Sequence, residues 1–399
     1  MTQTSQHPIV RLRPNAAAKA IRHGFPWVYD NEMVLDRRTK KLDLGTIAVL
    51  EDADRTPIAL VATNPNSKIF ARVLDFDLSA QIDQDWMEAR LRTALSLRER
   101  LFDAPFYRLI HAEADGFPGV IIDRFGDVAV IQPNAAWAEV MIDTLVKALV
   151  AVTGVQTVIK NASGRARTLE GLDDETSVLI GTMPDAPIPV TMNGAIYMAD
   201  VAGGQKTGLF FDQRPNHALT AKVSKGARVL DVFSHVGGFS LAALAGGAQS
   251  AIAVDGSAAA LDLAAQGAER LGVADRFETR KGDAFDVLTA LGEEGAQFDV
   301  VICDPPAFAS SKQALEAGLR AYERIARLAA ALVVDGGVLV LCSCSHAADL
   351  TKFRTACTRG IGRAGRQTAL FYTGFAGPDH PLHPQLAESG YLKSLFFRL

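Results

Sequence analysis

Two cysteines, Cys342 and Cys344, lie at the end of an apolar run in the last hundred residues of the chain. Residues two apart in a β-strand lie on the same face, so both thiols are expected on one side of a strand end. A thiol is the most nucleophilic side chain near neutral pH, which makes either cysteine a candidate for covalent catalysis. Two other interpretations stay open: a pair of inert buried thiols, or a zinc site that also uses His346 and Cys303. The spacing differs from the usual C-x2-C pattern of zinc ligands.

A second candidate is the segment Asp304-Pro-Pro-Ala-Phe308, which follows another apolar run. The two prolines fix the backbone directly after Asp304. The carboxylate and the following carbonyls could therefore present hydrogen-bond acceptors to the amino edge of a flat base. Phe308 could stack on the same base, an interaction worth about 1–3 kcal/mol. A rigid strand exit without a ligand would use the same residues.

Small and acidic residues also follow the upstream strands. Asp231 lies in a strand that leads into a turn containing Gly237 and Gly238, where missing side chains let a ligand approach the backbone. Asp255 ends the next strand, eighteen residues beyond Gly237, which is about the separation at which an acid binds a ribose in such folds. Asp283 ends the third strand, where it could accept from an adenine amino group.

This combination predicts a site for S-adenosylmethionine (SAM). A nicotinamide dinucleotide would instead require G-x-G-x-x-G after the first strand. The sequence there reads Phe-Ser-His-Val-Gly-Gly-Phe, without the triple glycine that cradles a pyrophosphate.

A SAM donor combined with a thiol predicts methylation at carbon 5 of a pyrimidine. That carbon is too weak a nucleophile to take a methyl group from a sulfonium by itself. A thiolate that adds at carbon 6 raises the electron density at carbon 5. Loss of the carbon-5 proton and of the thiolate completes the cycle. The target base must leave its stack to reach such a pocket.

The elements that position these residues indicate an α/β sheet. Beyond Gly203, apolar strands alternate with helices, which predicts a parallel, doubly wound sheet that binds ligands at the carboxyl ends of its strands. The last two strands, Ala369–Tyr372 and Ser394–Arg398, are joined by a loop without a helix, so the last strand should be antiparallel. Seven strands with a reversed final one form the topology of class I methyltransferases.

The chain is expected to contain three domains. Residues 1–78 read as a small β-barrel, residues 79–200 as a compact α+β domain, and residues 201–399 as the α/β domain. Between His7 and Lys41, eight basic residues face three acidic ones, and such a face suits contact with phosphates. A solvated surface would show the same pattern.

The bulk composition limits the class of protein. A formal net charge of −4 argues against a protein that coats nucleic acid without specificity. All four cysteines lie in the last hundred residues, which favours a reducing cytosol over a disulfide-stabilised exterior. The first ten residues lack the apolar core of a signal peptide, and no apolar run is long enough to span a bilayer. A cytoplasmic protein without a membrane partner is expected.

Several motifs closely resemble those of the ribosomal RNA large subunit methyltransferase I family. The similar runs are Gln205–Arg214, Asp231-Val-Phe-Ser, Gly237-Gly-Phe-Ser, Asp304-Pro-Pro-Ala-Phe, Cys342-Ser-Cys-Ser-His, and His380-Pro with Tyr391-Leu-Lys. Members of that family methylate carbon 5 of a cytosine in large-subunit rRNA with SAM as donor. The resemblance covers nearly the whole chain. It implies an RNA-binding PUA β-barrel, carried by Arg11–Val34 and Ser67–Leu74, and a β-β-α-β-β middle domain.

The resemblance also implies roles for individual residues. Cys344 takes the place of the nucleophile, with Cys342 as the alternative, and Asp304 reads the cytosine amino edge. SAM contacts are implied near Phe233, Gly237, Asp255, Asp283 and Asp304. RNA contacts are expected from Lys19, Arg22, Arg72, Phe308 and Arg214. Lys206, Asp212 and Arg214 would order a loop over cofactor or RNA. Ala307 stands where many RNA cytosine-C5 enzymes carry a second cysteine, so another base must take the proton.

Two other functions fit the same motifs. Asp-Pro-Pro-aromatic loops also serve methyltransferases that act on an exocyclic nitrogen of adenine or guanine, and these need no thiol. An RNA-binding or assembly factor could retain the fold without catalysis. The sequence identifies neither the methylated nucleotide nor the oligomeric state.

Overall fold

A computed structural model describes residues 7–203 and 208–399. The chain divides into two compact units. The first contains the residues up to Met183 together with Asp379–Leu386, and the second contains Pro184–Pro378 together with Ala387–Leu399.

The first unit begins with a five-stranded sheet in the order β1-β3-β4-β5-β2. Strands β1 and β3 pair in parallel, and the other neighbours are antiparallel. The alternating apolar positions of these short strands enclose a small core that includes Val28, Leu50 and Phe70. The elements are β1 (Ile9–Arg11), α1 (Ala18–Arg22), β2 (Trp27–Tyr29), β3 (Ile47–Glu51), β4 (Pro57–Thr63) and β5 (Ile69–Asp75).

The same unit continues with a second five-stranded sheet in the order β10-β9-β8-β7-β6. Only β8 and β9 are parallel, because the helical segment α3–α4 connects them. The elements are α2 (Gln84–Leu101), β6 (Phe106–His111), β7 (Val120–Phe125), β8 (Val128–Pro133), α3 (Ala136–Val140), α4 (Ile142–Thr153), β9 (Thr157–Lys160), α5 (Arg165–Glu170) and β10 (Ser177–Ile180). Leu60 and Leu74 of the first sheet share a core with Met87, Leu91 and Trp137, so the two sheets fold as one body.

A buried polar network also joins the two sheets. Arg72 on β5 donates to Glu113 at 2.8 Å and to Glu170 at 3.1 Å, and its side chain is only 12% exposed. Glu170 also accepts from Asn64 and Ser67, each at 2.9 Å. Removal of a cation that lies between two buried carboxylates is costly, because it leaves both negative charges without compensation.

The Arg72→Met variant is therefore expected to lower the free energy of unfolding of the first unit by about 3–5 kcal/mol, as for other broken buried ion pairs. Urea unfolding followed by circular dichroism measures this change. Arg22→Met is the matched control, because the ion pair between Arg22 and Asp52 is exposed and such pairs contribute little. Equal unfolding midpoints for the two variants would show that the Arg72 network does not hold the sheets together.

The second unit contains a seven-stranded sheet in the order β15-β14-β13-β16-β17-β19-β18. The predicted antiparallel final strand is confirmed, since β19 runs antiparallel to both β17 and β18. The strands are β11 (Ile188–Met192) and β12 (Ala195–Ala199), which form a separate hairpin, then β13 (Arg228–Val232), β14 (Ser250–Asp255), β15 (Phe277–Lys281), β16 (Phe298–Cys303), β17 (Val333–Ser343), β18 (Ala369–Gly374) and β19 (Lys393–Arg398).

Helices connect the parallel strands, as the alternating sequence pattern predicts. α6 (Arg214–Val223) leads into β13, and the connecting helices are α7 (Gly238–Ala245), α8 (Ala258–Leu271), α9 (Ala284–Glu293), α10 (Leu315–Ala331) and α11 (Leu350–Arg363). Residues of α9, α10 and α11 share one core with inner strand residues such as Val232, Val301 and Leu339. The opposite side of β13 faces α7, since Asp231 accepts from the backbone N–H of Ser240.

The hairpin of β11 and β12 lies in the second unit, although the sequence analysis assigned it to the middle domain. A tight contact with α8 explains the difference: a Cβ added at Gly267 would lie 2.8 Å from the carbonyl oxygen of Ile196. Within the described residues, no helix is both long and apolar enough to cross a membrane.

Candidate active site

The turn after β13 has an unusual backbone. Phe233, His235 and Gly237 have φ angles of +64°, +50° and +79°. Only glycine adopts such left-handed angles at no cost, so two side-chain-bearing residues in this region indicate local strain, which is concentrated at functional sites. The carbonyl of Ser234 accepts from the N–H groups of Gly237 and Gly238 at 2.8 and 3.3 Å. These bonds close the turn and start α7.

Gly238 is required by a close approach rather than by its φ angle. A Cβ at this position would lie 2.8 Å from the ring of His217. His217 is buried, and its ring packs edge-on against Phe239 at 4.4 Å. Burial lowers the pKa of His217 to about 3, so the ring is neutral at physiological pH. The missing side chain of Gly238 thus allows α6, which carries His217, to pack tightly against α7.

Asp231 points from β13 towards the start of α7 and is fully buried. Its Oδ2 accepts from the Ser240 N–H at 2.9 Å. Among the described residues, its Oδ1 and the hydroxyls of Ser234 and Ser240 are buried without a hydrogen-bond partner. Buried polar atoms without a partner are costly unless water or a ligand completes their bonding. This group of atoms therefore suits a polar ligand at the glycine turn.

Stability should depend on pH through Asp231. Burial raises the pKa of this carboxyl from 3.8 to about 6. The raised pKa stabilises the folded protein at pH values below the pKa that Asp231 has in the unfolded chain. This stabilisation is lost as the pH rises through about 6. An asparagine cannot titrate. As the pH rises from below 3.8 to above about 6, the free energy of unfolding of wild type, measured relative to that of Asp231→Asn, should therefore fall by about 3 kcal/mol. Denaturant unfolding across the interval tests this, and a difference that stays constant with pH would contradict it.

Asp255 and Asp283 lie at the carboxyl ends of β14 and β15, as predicted. Asp255 accepts from the N–H groups of His235 at 2.9 Å and Ser257 at 2.8 Å. It thereby fixes the glycine turn to the neighbouring strand. Asp283 is exposed and caps α9, and both bonds that it accepts from that helix use Oδ1.

Asp304 follows β16 beside the end of β13. Its backbone N–H donates to the carbonyl of Val232 at 3.1 Å. Its Oδ2 accepts from Nε2 of Gln213 at 2.9 Å. Gln213 is buried, and its own Oε1 accepts from Nδ2 of Asn216 at 2.6 Å, which fixes the orientation of the amide. Gln213 was not predicted as a site residue, although it lies inside the run Gln205–Arg214 that carries part of the family resemblance.

The two cysteines of the predicted motif have different environments. Cys342 is 1% exposed on β17, and its Sγ shares a hydrogen bond with Ser394 Oγ at 3.1 Å. Burial raises the pKa of this thiol well above its usual range. Cys344 is half-buried and follows the last residue of the strand.

A buried lysine lies near Cys344. It ends the run Tyr391-Leu-Lys of the family resemblance, but the sequence assigned it no role. Lys393 is 5% exposed, and its ammonium group donates to the carbonyls of Ser345 and Ala348 at 2.7 and 2.9 Å. Burial lowers the pKa of Lys393, while the Cys344 thiol, when ionised, opposes that shift. The two side chains are therefore close enough to interact electrostatically.

A hydroxyl network connects the cysteine segment to the loop after Asp304. Tyr322 on α10 hydrogen-bonds with Ser343 at 2.9 Å and with Ser345 at 2.8 Å. The Ser345 hydroxyl also accepts from the N–H of Ala309 at 3.0 Å. The ends of β16 and β17 are therefore held in a fixed relation.

The other two cysteines, Cys303 and Cys357, belong to the hydrophobic core of the second unit. Burial raises the pKa of both thiols. Among the described residues, no group of three or more His, Cys, Asp or Glu side chains is arranged to hold a metal ion.

Comparison with known proteins decides the family. A model of S-adenosylmethionine-dependent methyltransferases matches residues 150–361, and a PUA-like domain model matches residues 10–76. A ribosomal RNA large subunit methyltransferase I of Aliivibrio fischeri is 36% identical over 389 residues, which are 96% of this chain and 97% of the relative. A ribosomal RNA large subunit methyltransferase of Deinococcus radiodurans is 34% identical, over 99% of this chain and 98% of its own. The chain belongs to the ribosomal RNA large subunit methyltransferase I family.

Solved structures confirm the fold of this family member. A Streptococcus mutans protein assigned to the SAM-dependent methyltransferases superimposes with a TM-score of 0.81 at 19% identity, over 98% of this chain and 100% of the other. A structure solved in complex with SAH also has a TM-score of 0.81 at 19% identity, over 98% of this chain and 99% of the other. The predicted class I fold with a preceding PUA-like domain is therefore confirmed.

SAM is the cofactor of this methyltransferase, as predicted. The site fits such a ligand, because the unpartnered polar atoms around Asp231 lie at the glycine turn and two carboxylates follow the neighbouring strands. The residues predicted to hold it are Asp231, Phe233, Gly237, Gly238, Asp255, Asp283 and Asp304. Their individual contacts with SAM stay predictions.

The predicted RNA-binding residues have varied surroundings. Lys19 and Arg22 are exposed on α1, whereas Arg72 is mostly buried in the network described above. Phe308 is half-buried, with its ring 5.0 Å from Tyr322 and 6.2 Å from Phe233. The Arg214 guanidinium lies 5.5 Å from the ring of Phe211. RNA contact by these five residues stays a prediction, and Lys206 lies outside the described residues.

Proposed function

We propose that this methyltransferase forms 5-methylcytosine in large-subunit rRNA, in the cytoplasm, with Cys344 as the nucleophile. The observation that carries the proposal is the half-buried Cys344 near the Lys393 ammonium. Cys344 directly follows β17, and Asp304 directly follows the adjacent strand β16. The curated relatives are named for large-subunit rRNA, which supports the choice of RNA.

Each residue has a distinct part in the proposed reaction. The Cys344 thiolate, favoured by Lys393, adds to carbon 6 of the cytosine and forms a carbon–sulfur bond, which raises the electron density at carbon 5. SAM, when bound, supplies the electrophilic methyl group that carbon 5 takes up. A general base then removes the carbon-5 proton, the double bond re-forms, and the carbon–sulfur bond breaks to release Cys344. Asp304 accepts hydrogen bonds from the exocyclic amino group and orients the base.

The PUA-like domain supports RNA as the substrate. We propose that residues 1–78 bind RNA through the exposed side chains of Lys19 and Arg22 on α1. Residues 79–183 follow this domain in the chain, and the catalytic part then starts with the hairpin of β11 and β12.

Nucleoside analysis tests the proposed product. Purified protein is incubated with isotopically labelled SAM and rRNA from cells that lack the enzyme, and the digested RNA is analysed by liquid chromatography and mass spectrometry. Labelled 5-methylcytidine is expected. Label in an N-methylated adenosine or guanosine would instead establish the exocyclic-nitrogen reaction. Failure to bind SAM in calorimetry, both with and without RNA, would indicate a factor without catalysis.

A further inference from the structure

Two adjacent helices of the second unit carry a strong excess of positive charge. Helix α10 has three arginines against two acids, and α11 has four basic residues and no acid, so the pair holds seven basic against two acidic residues. The whole chain has a net charge of −4. Helices α6, α7 and α8 together hold only three basic against two acidic residues, and α9, which also contacts α10, has Asp286 and Glu293. Among the helices of the second unit, the excess of positive charge is thus concentrated on α10 and α11.

Close packing makes the two helices one surface. A Cβ added at Gly360 on α11 would lie 2.3 Å from the carbonyl oxygen of Glu323 and 3.0 Å from the backbone nitrogen of Arg327, both on α10. Arg359 precedes this contact point in the sequence, and Arg363 reaches back to pair with Glu323. Arg327 and Arg359 therefore lie on either side of one helix–helix seam.

Most of these arginines have no acidic partner. Lys352 pairs with Asp349 and Arg363 with Glu323. Within residues 7–203 and 208–399, no carboxylate forms an ion pair with the four exposed arginines Arg320, Arg327, Arg354 and Arg359. Arg354 and Arg359 also line a shallow depression together with Thr355 and Thr358. Guanidinium groups without internal partners are suited to bidentate contacts with phosphate.

The surface is continuous with the proposed active site. A Cβ added at Gly318, in the first turns of α10, would lie 2.8 Å from the carbonyl carbon of Phe308, so α10 packs directly on the loop after Asp304. Six residues further along α10, the Arg324 guanidinium lies 4.6 Å from the ring of Phe285. From Arg320 to Arg327 the helix then rises by about 10 Å. A nucleic acid strand that leaves the target base over α10 would meet these arginines in succession.

We propose that α10 and α11 form a second RNA-binding surface, which contacts the phosphates that flank the target nucleotide. This inference rests on the proposed function. An acidic protein partner is a poorer fit, because protein interfaces contain a buried apolar or aromatic centre. The exposed positions of α11 are threonine, lysine, arginine and glycine only.

Binding to RNA tests the surface with a matched pair of variants. The first carries Arg327→Gln, Arg354→Gln and Arg359→Gln in the full-length protein. The control carries Lys222→Gln, Lys225→Gln and Arg270→Gln, which remove three exposed positive charges near α6 and α8. The dissociation constant for a fluorescently labelled transcript of large-subunit rRNA is measured by anisotropy at several salt concentrations. Thermal unfolding confirms that both variants fold.

The arginine variant is expected to bind the transcript at least tenfold more weakly, with a salt-dependence slope smaller by about 2–3, since each phosphate contact contributes about 0.7–0.9. The control should stay within about twofold of wild type, since it removes the same charge elsewhere. An equal loss in both variants, or none in either, would overturn the proposal. So would equally tight binding of polyglutamate at the same surface.

A further measurement separates this inference from the proposed function. If the arginine variant loses affinity but wild type forms no 5-methylcytidine, the surface is established and the proposed reaction is wrong. If wild type forms 5-methylcytidine and the arginine variant binds normally, the surface proposal alone fails.

Discussion

Replacement of Cys344 by serine is expected to reduce methylation at least about a thousandfold, as the loss of other catalytic nucleophiles does. A serine hydroxyl is un-ionised near neutral pH and adds poorly to carbon 6, even with Lys393 beside it. Cys342→Ser should retain activity within about tenfold, because the new hydroxyl can keep the hydrogen bond to Ser394. Transfer of label from SAM to RNA measures both variants.

A trapping experiment gives an independent result for the same two variants. In RNA that carries 5-fluorocytidine at the target, carbon 5 holds fluorine in place of the removable proton, so the enzyme–RNA bond cannot be released. Wild type and Cys342→Ser should give a complex that survives denaturing electrophoresis, and Cys344→Ser should not. If instead only Cys342→Ser fails, Cys342 is the nucleophile. Full activity of both variants would eliminate the carbon-5 mechanism.

Much of the catalytic fold is predictable because local sequence signals determine it. The loop between β18 and β19 contains no helix that could cross the sheet, so the antiparallel final strand follows from the pattern alone. The acids at strand ends are predictable for the same reason, since parallel strands end at one edge. Asp231, Asp255 and Asp283 all lie where this argument places them.

The difference between the two cysteines is not predictable from their spacing. Strand alternation places Cys342 and Cys344 on one face, but β17 ends at Ser343. Only Cys342 is therefore enclosed by the antiparallel partner β19, where Ser394 lies opposite it. Lys393 approaches Cys344 from a strand about fifty residues further along the chain, and no local pattern indicates that proximity.

Long-range polar contacts account for the other differences. Arg72 looks like a surface cation in a basic segment, yet its partner Glu170 lies 98 positions away. Gln213 is 91 positions from Asp304, so its amide could not be assigned to the site from the sequence. Both residues are buried polar groups whose partners are determined by the tertiary fold, whereas hydrophobic periodicity reports only the local element.

The Gln213 amide makes Asp304→Asn the sharpest test of base recognition. Nε2 of Gln213 donates to Asp304 Oδ2, and Asn216 prevents the amide from turning round. The asparagine introduced at this position must therefore direct its oxygen to Gln213 and its NH2 group to the base. The introduced NH2 group would then face the amino group of the cytosine, so that two donors meet without an acceptor. The kcat/KM for cytosine should therefore fall about a thousandfold or more, as in sites that lose a required hydrogen bond.

Methylation of uracil should change in the opposite direction to methylation of cytosine when Asp304 is replaced by asparagine. The oxygen at carbon 4 of uracil accepts from an NH2 group but is repelled by a carboxylate, so Asp304→Asn should raise the ratio of 5-methyluridine to 5-methylcytidine formed from paired RNAs. Asp286→Asn, an exposed change on α9, is the control and should leave the ratio unchanged. SAM affinity is measured alongside, since Asp304 is also a predicted cofactor contact. Unaltered cytosine methylation by Asp304→Asn would show that this carboxylate does not read the amino group, because no orientation of the amide restores both acceptors.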